Sequence, residues 1–262
     1  MNNKKVPLIA ANWKMNKTST EARGLTLTLK EKFNKKINSV KIVICPPFTS
    51  LTAVAEALNG SNINLGAQNV HWENEGAFTG EISPKMLLTA GCQYVIIGHS
   101  ERRTFFQEND DMVNLKLKES LKEGLIPIVC IGETWQEREA GKTEEVIEHQ
   151  LKAALKGVAL EDVEKVVIAY EPVWAIGTGK NATPKQANEI HAFIREKLAA
   201  MYHKETAQKM NIIYGGSVTP ESADDLIEMP EINGFLVGGA SLDPEAFEKI
   251  VRASVTPKSA VK

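Results

Sequence analysis

No stretch of this chain is apolar for long enough to cross a bilayer. Its longest apolar runs stop far short of the ~20 residues that a spanning helix needs. The opening "MNNKKVPLIAANWK" is positively charged, but its apolar core is too short for a secretory signal. Cysteine is scarce. Cys45, Cys92 and Cys130 lie far apart with no CxxC pair, which excludes a disulfide framework and leaves buried thiols in a reducing cytoplasm as the simplest expectation. The five histidines show no zinc-type spacing, so no metal site is expected. Charge of one sign is also lacking. A net charge of −2 gives no bulk attraction for nucleic acid or an anionic membrane, although a local basic pocket stays open. No Ser/Gly-rich or low-complexity tract divides the 262 residues, and a single domain is expected, with a frayed tail from about residue 255.

What is present is a repeat of short, β-branched apolar runs. They are "VPLIAAN" from Val6, "VKIVICP" from Val40, "INLGAQ" from Ile63, "YVIIGH" from Tyr94, "IPIVCIG" from Ile126, "KVVIAYE" from Lys165, "NIIYGG" from Asn211 and "GFLVGG" from Gly234. Each run is nearly continuous, not alternating, which suits strands buried on both faces of a parallel sheet. Helical periodicity lies between them. Ala22, Leu25, Leu29 and Phe33 step by three and four, as do Ala187, Ile190, Ile194 and Leu198. Ser83-Pro84, Thr183-Pro184, Thr219-Pro220 and Asp243-Pro244 each place a capping residue before a proline suited to the first helical turn. Gly91 and Gly124 stand where helices should end. Eight strand–helix units in about 250 residues fit a closed (β/α)₈ barrel. An open doubly wound sheet is the alternative, though no GxGxxG follows the first run.

In either architecture, functional groups collect where strands end and loops begin. Those ends are polar here. The first run gives way to "NWKMN", with Asn12 and Lys14, the fourth to "GHSERR", with His99, and the sixth reaches Glu171. The seventh and eighth end in "YGGS" and "VGGAS". A cation, an imidazole, a carboxylate and two glycine-rich helix starts would converge on one face. Glycine admits backbone N–H groups close to an anion, and a helix start favours negative charge, so a phosphate on the side of the last two strands is the expected ligand.

The segments "NWKMN", "CPPF", "GAFTGEIS", "GHSERR", "CIGE", "AYEPVWAIGTGK", "YGGS" and "GFLVGGASL" resemble the triosephosphate isomerase family, in order and over nearly the whole chain. The resemblance implies a TIM barrel that interconverts dihydroxyacetone phosphate and D-glyceraldehyde 3-phosphate in glycolysis and gluconeogenesis, without cofactor or metal. It implies Glu171 as the base, His99 as the neutral imidazole on the developing enediolate, and Lys14 with Asn12 as the groups that hold substrate and offset oxyanion charge. Glu101 is implied as a partner for Lys14. Backbone N–H groups of Gly177, Ser217, Gly238 and Gly239 are implied as the phosphate cradle. Pro172, Val173, Trp174, Ala175, Ile176, Gly177, Thr178, Gly179 and Lys180 are implied as a lid that excludes water, with Asn181 in its far hinge departing from the family's usual small residue. "GAFTGEIS" resembles the loop by which family members form homodimers, with Thr79 entering the neighbouring subunit. Another phosphosugar isomerase or epimerase on the same barrel, or a non-catalytic binding or adhesion protein, are the competing readings. The second of these predicts loss of Lys14, His99 or Glu171, and all three are present.

Overall fold

Each of the eight apolar runs forms a short strand: β1 (Leu8–Asn12), β2 (Lys41–Cys45), β3 (Ile63–Ala67), β4 (Tyr94–Ile97), β5 (Ile126–Ile131), β6 (Val167–Tyr170), β7 (Asn211–Tyr214) and β8 (Gly234–Val237). The computed structural model describes residues 5–33, 39–175 and 182–255 of the chain. All pairings are parallel and follow chain order. β8 then pairs with β1, so the sheet closes on itself as a (β/α)₈ barrel; the open doubly wound alternative is excluded.

Closure divides the apolar residues into two cores. Alternate strand residues fill the barrel interior, among them Leu8 and Ala10, Tyr94 and Ile96, Val167 and Ala169. Their neighbours Ile9, Ala11, Val95, Ile97, Ile168 and Tyr170 face outward and pack under the helices. Both sets are buried, which is why the runs read as continuous.

The helices begin where their caps predict. Ser83 accepts the Met86 N–H, Thr183 the Gln186 N–H and Thr219 the Ser222 N–H, while Asp243 accepts from Glu245 and Ala246. Gly124 closes the helix Asp110–Glu123 with φ +93°, a left-handed value that glycine takes without steric penalty. Among the described residues no helix is long and apolar enough to cross a membrane. The three cysteines are buried free thiols. The tail from residue 256 lies outside the described residues.

Candidate active site

The C-terminal ends of the strands surround an open cleft of about 610 Å³, within the usual size for small-ligand sites. Asn12, Lys14, His99, Glu101, Glu171, Ser217, Gly238 and Gly239 all line it. Five strand ends far apart in sequence, those of β1, β4, β6, β7 and β8, thus deliver these residues to one cleft.

Two of these residues arrive by strand alternation. Asn12 continues the inward parity of Leu8 and Ala10, and Glu171 that of Val167 and Ala169. The Glu171 backbone N–H donates to Ile131 O at 2.8 Å, extending the β5–β6 ladder by one residue. The fit beside Glu171 is tight. A Cβ on Gly132 would lie 1.7 Å from Glu171 O, and one on Gly215 would lie 2.9 Å from Glu171 Cγ. Only glycine permits the strands flanking Glu171 to approach this closely.

His99 arrives against alternation. Its parity is that of the outward-facing Val95 and Ile97. Gly98, at φ +72°, reverses the chain and turns the imidazole into the cleft. His99 also caps the helix Ser100–Phe106, where its Nδ1 accepts the Glu101 N–H at 3.2 Å. With Nδ1 accepting, the ring proton of the neutral imidazole sits on Nε2. That atom faces Glu171 Oε1 at 3.1 Å.

Glu171 is only 2% exposed. Its Oε2 accepts the Ser100 N–H at 2.9 Å, while Oε1 lacks an aligned donor among the described residues despite its nearness to His99. Beneath it lies Cys130, whose thiol is pushed well above the ordinary range by burial and then by the Glu171 charge. The floor under the carboxylate is therefore a neutral, unreactive thiol.

Lys14 holds a left-handed backbone, φ +53°, which for a non-glycine residue costs ~1–3 kcal/mol. Its N–H donates to Asn12 Oδ1 at 3.1 Å, and Gln68 Nε2 binds its carbonyl at 2.9 Å. The same amide nitrogen of Gln68 also reaches Cys45 O at 2.9 Å, so this turn is tied back to β2. Lys14 Nζ pairs with Glu101 Oε1 at 2.5 Å. On the far wall, Gly238 comes close to the lysine: a Cβ there would meet Lys14 Cε at 3.5 Å. Gly239 opens the 3₁₀ turn Gly239–Leu242, and Ser217 precedes the helix Pro220–Ile227.

The segment after Glu171 is anchored by a residue that the sequence reading passed over. The wholly buried Glu133 accepts from Trp174 Nε1 at 2.9 Å, from the Tyr170 hydroxyl at 3.1 Å and from Arg138 at 3.1 Å. Its carbonyl takes the Val173 N–H at 3.1 Å. Burial, then the Glu133 charge, push the Tyr170 phenol well above its ordinary range. Trp174 is thus a polar anchor as well as an apolar one. The signal was the acid ending "CIGE", two residues beyond β5. Pro172, Val173, Trp174 and Ala175 are described, whereas Ile176, Gly177, Thr178, Gly179, Lys180 and Asn181 lie outside the described residues.

A family model described as triosephosphate isomerase matches residues 7–254. Proteins named triosephosphate isomerase from Carboxydothermus hydrogenoformans and Dictyoglomus turgidum are each 54% identical to this chain, over 249 and 246 residues. The first similarity covers 95% of this chain and 99% of the relative, the second 94% and 98%. A protein of that name from Endomicrobium trichonymphae is 53% identical over 248 residues, covering 95% of this chain and 98% of its own.

Proposed function

The chain belongs to the triosephosphate isomerase family, and from that premise we propose how its own residues interconvert dihydroxyacetone phosphate and D-glyceraldehyde 3-phosphate. The protein is an isomerase, and its substrate is a triose phosphate. A proton α to a carbonyl is weakly acidic. A base must remove it while an electrophile polarises the oxygen. Glu171 is the base: it takes the proton from one carbon and returns it to the next. His99 donates its Nε2–H to the oxygens as the enediolate forms. Lys14 supplies positive charge beside the same oxygens, steadied by Asn12 and by its pair with Glu101. The phosphate lies toward Ser217, Gly238 and Gly239, where helix starts and glycine backbone suit an anion.

One observation carries this assignment. A buried carboxylate and an imidazole from different strands stand 3.1 Å apart in the cleft, the carboxylate oxygen without an aligned donor among the described residues and the ring nitrogen bearing the proton. The test is isomerisation by the purified protein in a coupled assay, repeated with Glu171→Gln. A Gln variant with near-normal turnover would remove Glu171 from the role.

A homodimer is part of the same reading. Large apolar side chains are exposed after β1 to β4: Met15 is 95% exposed, Phe105 73% and Phe78 42%. Among the described residues most of the water-facing apolar groups of the rim lie on this half, with Trp135 after β5 beside them, and they favour a second copy as their cover. The exposed loop that carries Phe78 also carries Thr79. Charged residues at Ala77 and Phe78 should give monomers of very low activity by sedimentation and assay. Fully active monomers would refute the role of this loop. One barrel domain over the whole chain and a cytoplasmic location complete the reading, the latter supported by three unpaired buried thiols.

A further inference from the structure

The pivot that brings His99 into the cleft is held by charged side chains from both sides. The β4–β5 ladder ends at Ile97 and Val129. One residue later, Gly98 takes its left-handed turn. Its carbonyl accepts Arg103 Nε at 2.8 Å, and its N–H donates to Glu108 Oε1 at 2.9 Å. Both backbone groups of one residue are thus tied to ionised groups, which form stronger hydrogen bonds than neutral ones. Arg103 is itself oriented: Nη1 binds Asp110 Oδ1 at 2.6 Å, and Nη2 reaches Cys130 O at 3.3 Å. The guanidinium lies against Gly98 so closely that a Cβ there would be 3.1 Å from Nη2.

We propose that Arg103 is a positioning residue for the isomerisation, a fork that fixes the Gly98 turn and so aims the His99 imidazole. The inference rests on the assignment of His99 as the electrophile. The contact with Cys130 O extends the effect to β5, whose Gly132 runs against Glu171. One side chain therefore sets the spacing of two strand ends, one presenting the acid and the other bracing the base. A lysine in its place keeps the charge but loses the planar fork, so it cannot hold Gly98 O, Cys130 O and Asp110 together.

The test uses the full chain with Arg103→Lys and Arg103→Ala, assayed well below the unfolding temperature. Turnover of Arg103→Lys should fall at least about tenfold with KM within about twofold, since a small misplacement of a catalytic group costs rate more than binding. In ¹⁵N-histidine spectra the His99 ring signals should shift or show a second tautomer, while the buried His191 signals stay in place. Guanidinium ion at low millimolar concentration should restore part of the activity of Arg103→Ala. Normal turnover in Arg103→Lys would overturn the proposal. So would an activity loss that tracks the folded fraction with His99 signals unchanged. If the unaltered protein fails to isomerise triose phosphate, the assignment of function fails instead, and the His99 spectra still report on the clamp.

Discussion

Two polar clusters, one at each mouth of the barrel, are built in opposite ways. At the N-terminal mouth, Arg195 reaches in from the helix Pro184–Met201 and makes four hydrogen bonds with its guanidinium. It donates to Glu231 at 3.0 Å, to Met210 O and Asn233 Oδ1 at 2.7 Å each, and to Ala207 O. Asn233 passes the order on, with Oδ1 accepting the Ile212 N–H and its carbonyl accepting the Leu8 N–H. Three strands, β7, β8 and β1, are tied there. At the C-terminal mouth, Glu171 keeps one oxygen without an aligned donor among the described residues, and Lys14 keeps an unfavourable backbone angle. Satisfied groups hold a fold together, whereas groups short of partners are available to a substrate. In barrels of this fold, stability concentrates at one end and chemistry at the other.

The sharpest test of this contrast is Glu171→Gln. Turnover should drop by about 10²–10⁴, the usual worth of positioned acid–base catalysis, with the denaturation midpoint close to that of the unaltered protein. A loss of stability as large as the loss of activity would erase the contrast. Arg195→Met should do the reverse. It removes one donor each from Met210 O, Ala207 O and Asn233 Oδ1, leaves Glu231 without its Arg195 partner, and should cost about 2–4 kcal/mol of unfolding free energy in denaturant titration. Turnover per folded molecule should stay within about twofold of normal.

A buried histidine extends the comparison to acid. His191 is wholly buried beside Tyr170 and Tyr214, and burial lowers its pKa to about 3. The unfolded chain then binds one more proton than the folded one between about pH 3 and 6.5. Stability from this residue is complete above about 6.5 and is lost as pH falls, by about 1.4 kcal/mol per pH unit. Relative to His191→Asn, the unaltered protein should lose about 2 kcal/mol more between pH 7 and pH 5 in denaturant titrations. An identical pH dependence in the two would show that His191 is charged in the folded state.

The smallest effect at neutral pH is expected at Lys5, which donates to Met210 O. Burial, then the Arg195 charge, bring its amine down to about 7. The unfolded chain holds the extra proton between about pH 7 and 10.5, so this residue's contribution rises with pH across that window. Lys5→Met should lie within about 1 kcal/mol of the unaltered protein at pH 7 and should lose the rise toward pH 9. Stability that falls steeply at pH 7 in this variant would make Lys5 a brace equal to Arg195.

Strand number, strand limits and most helix starts were legible in the chain, because each is a local property. Doubly buried strands need continuous apolar runs. Helix starts need Ser, Thr or Asp before proline, and strand ends need polar residues where the runs stop. Asn12 and Glu171 were legible as candidate site residues because each stands where an apolar run stops, and the parity of its strand turns it into the cleft. Three things were settled only by the tertiary structure. Closure of the sheet depends on β8 meeting β1, a contact between the two ends of the chain that no local pattern encodes. The direction of His99 depends on a left-handed turn at Gly98 held by Arg103 and Glu108, against the parity of its own strand. The hold on Trp174 depends on Glu133, which is 41 positions away and meets it only because β5 and β6 are neighbours. Local sequence can specify which residues stand at a strand end. Their distances and directions come from contacts between segments remote in sequence, and these exist only once the barrel is closed.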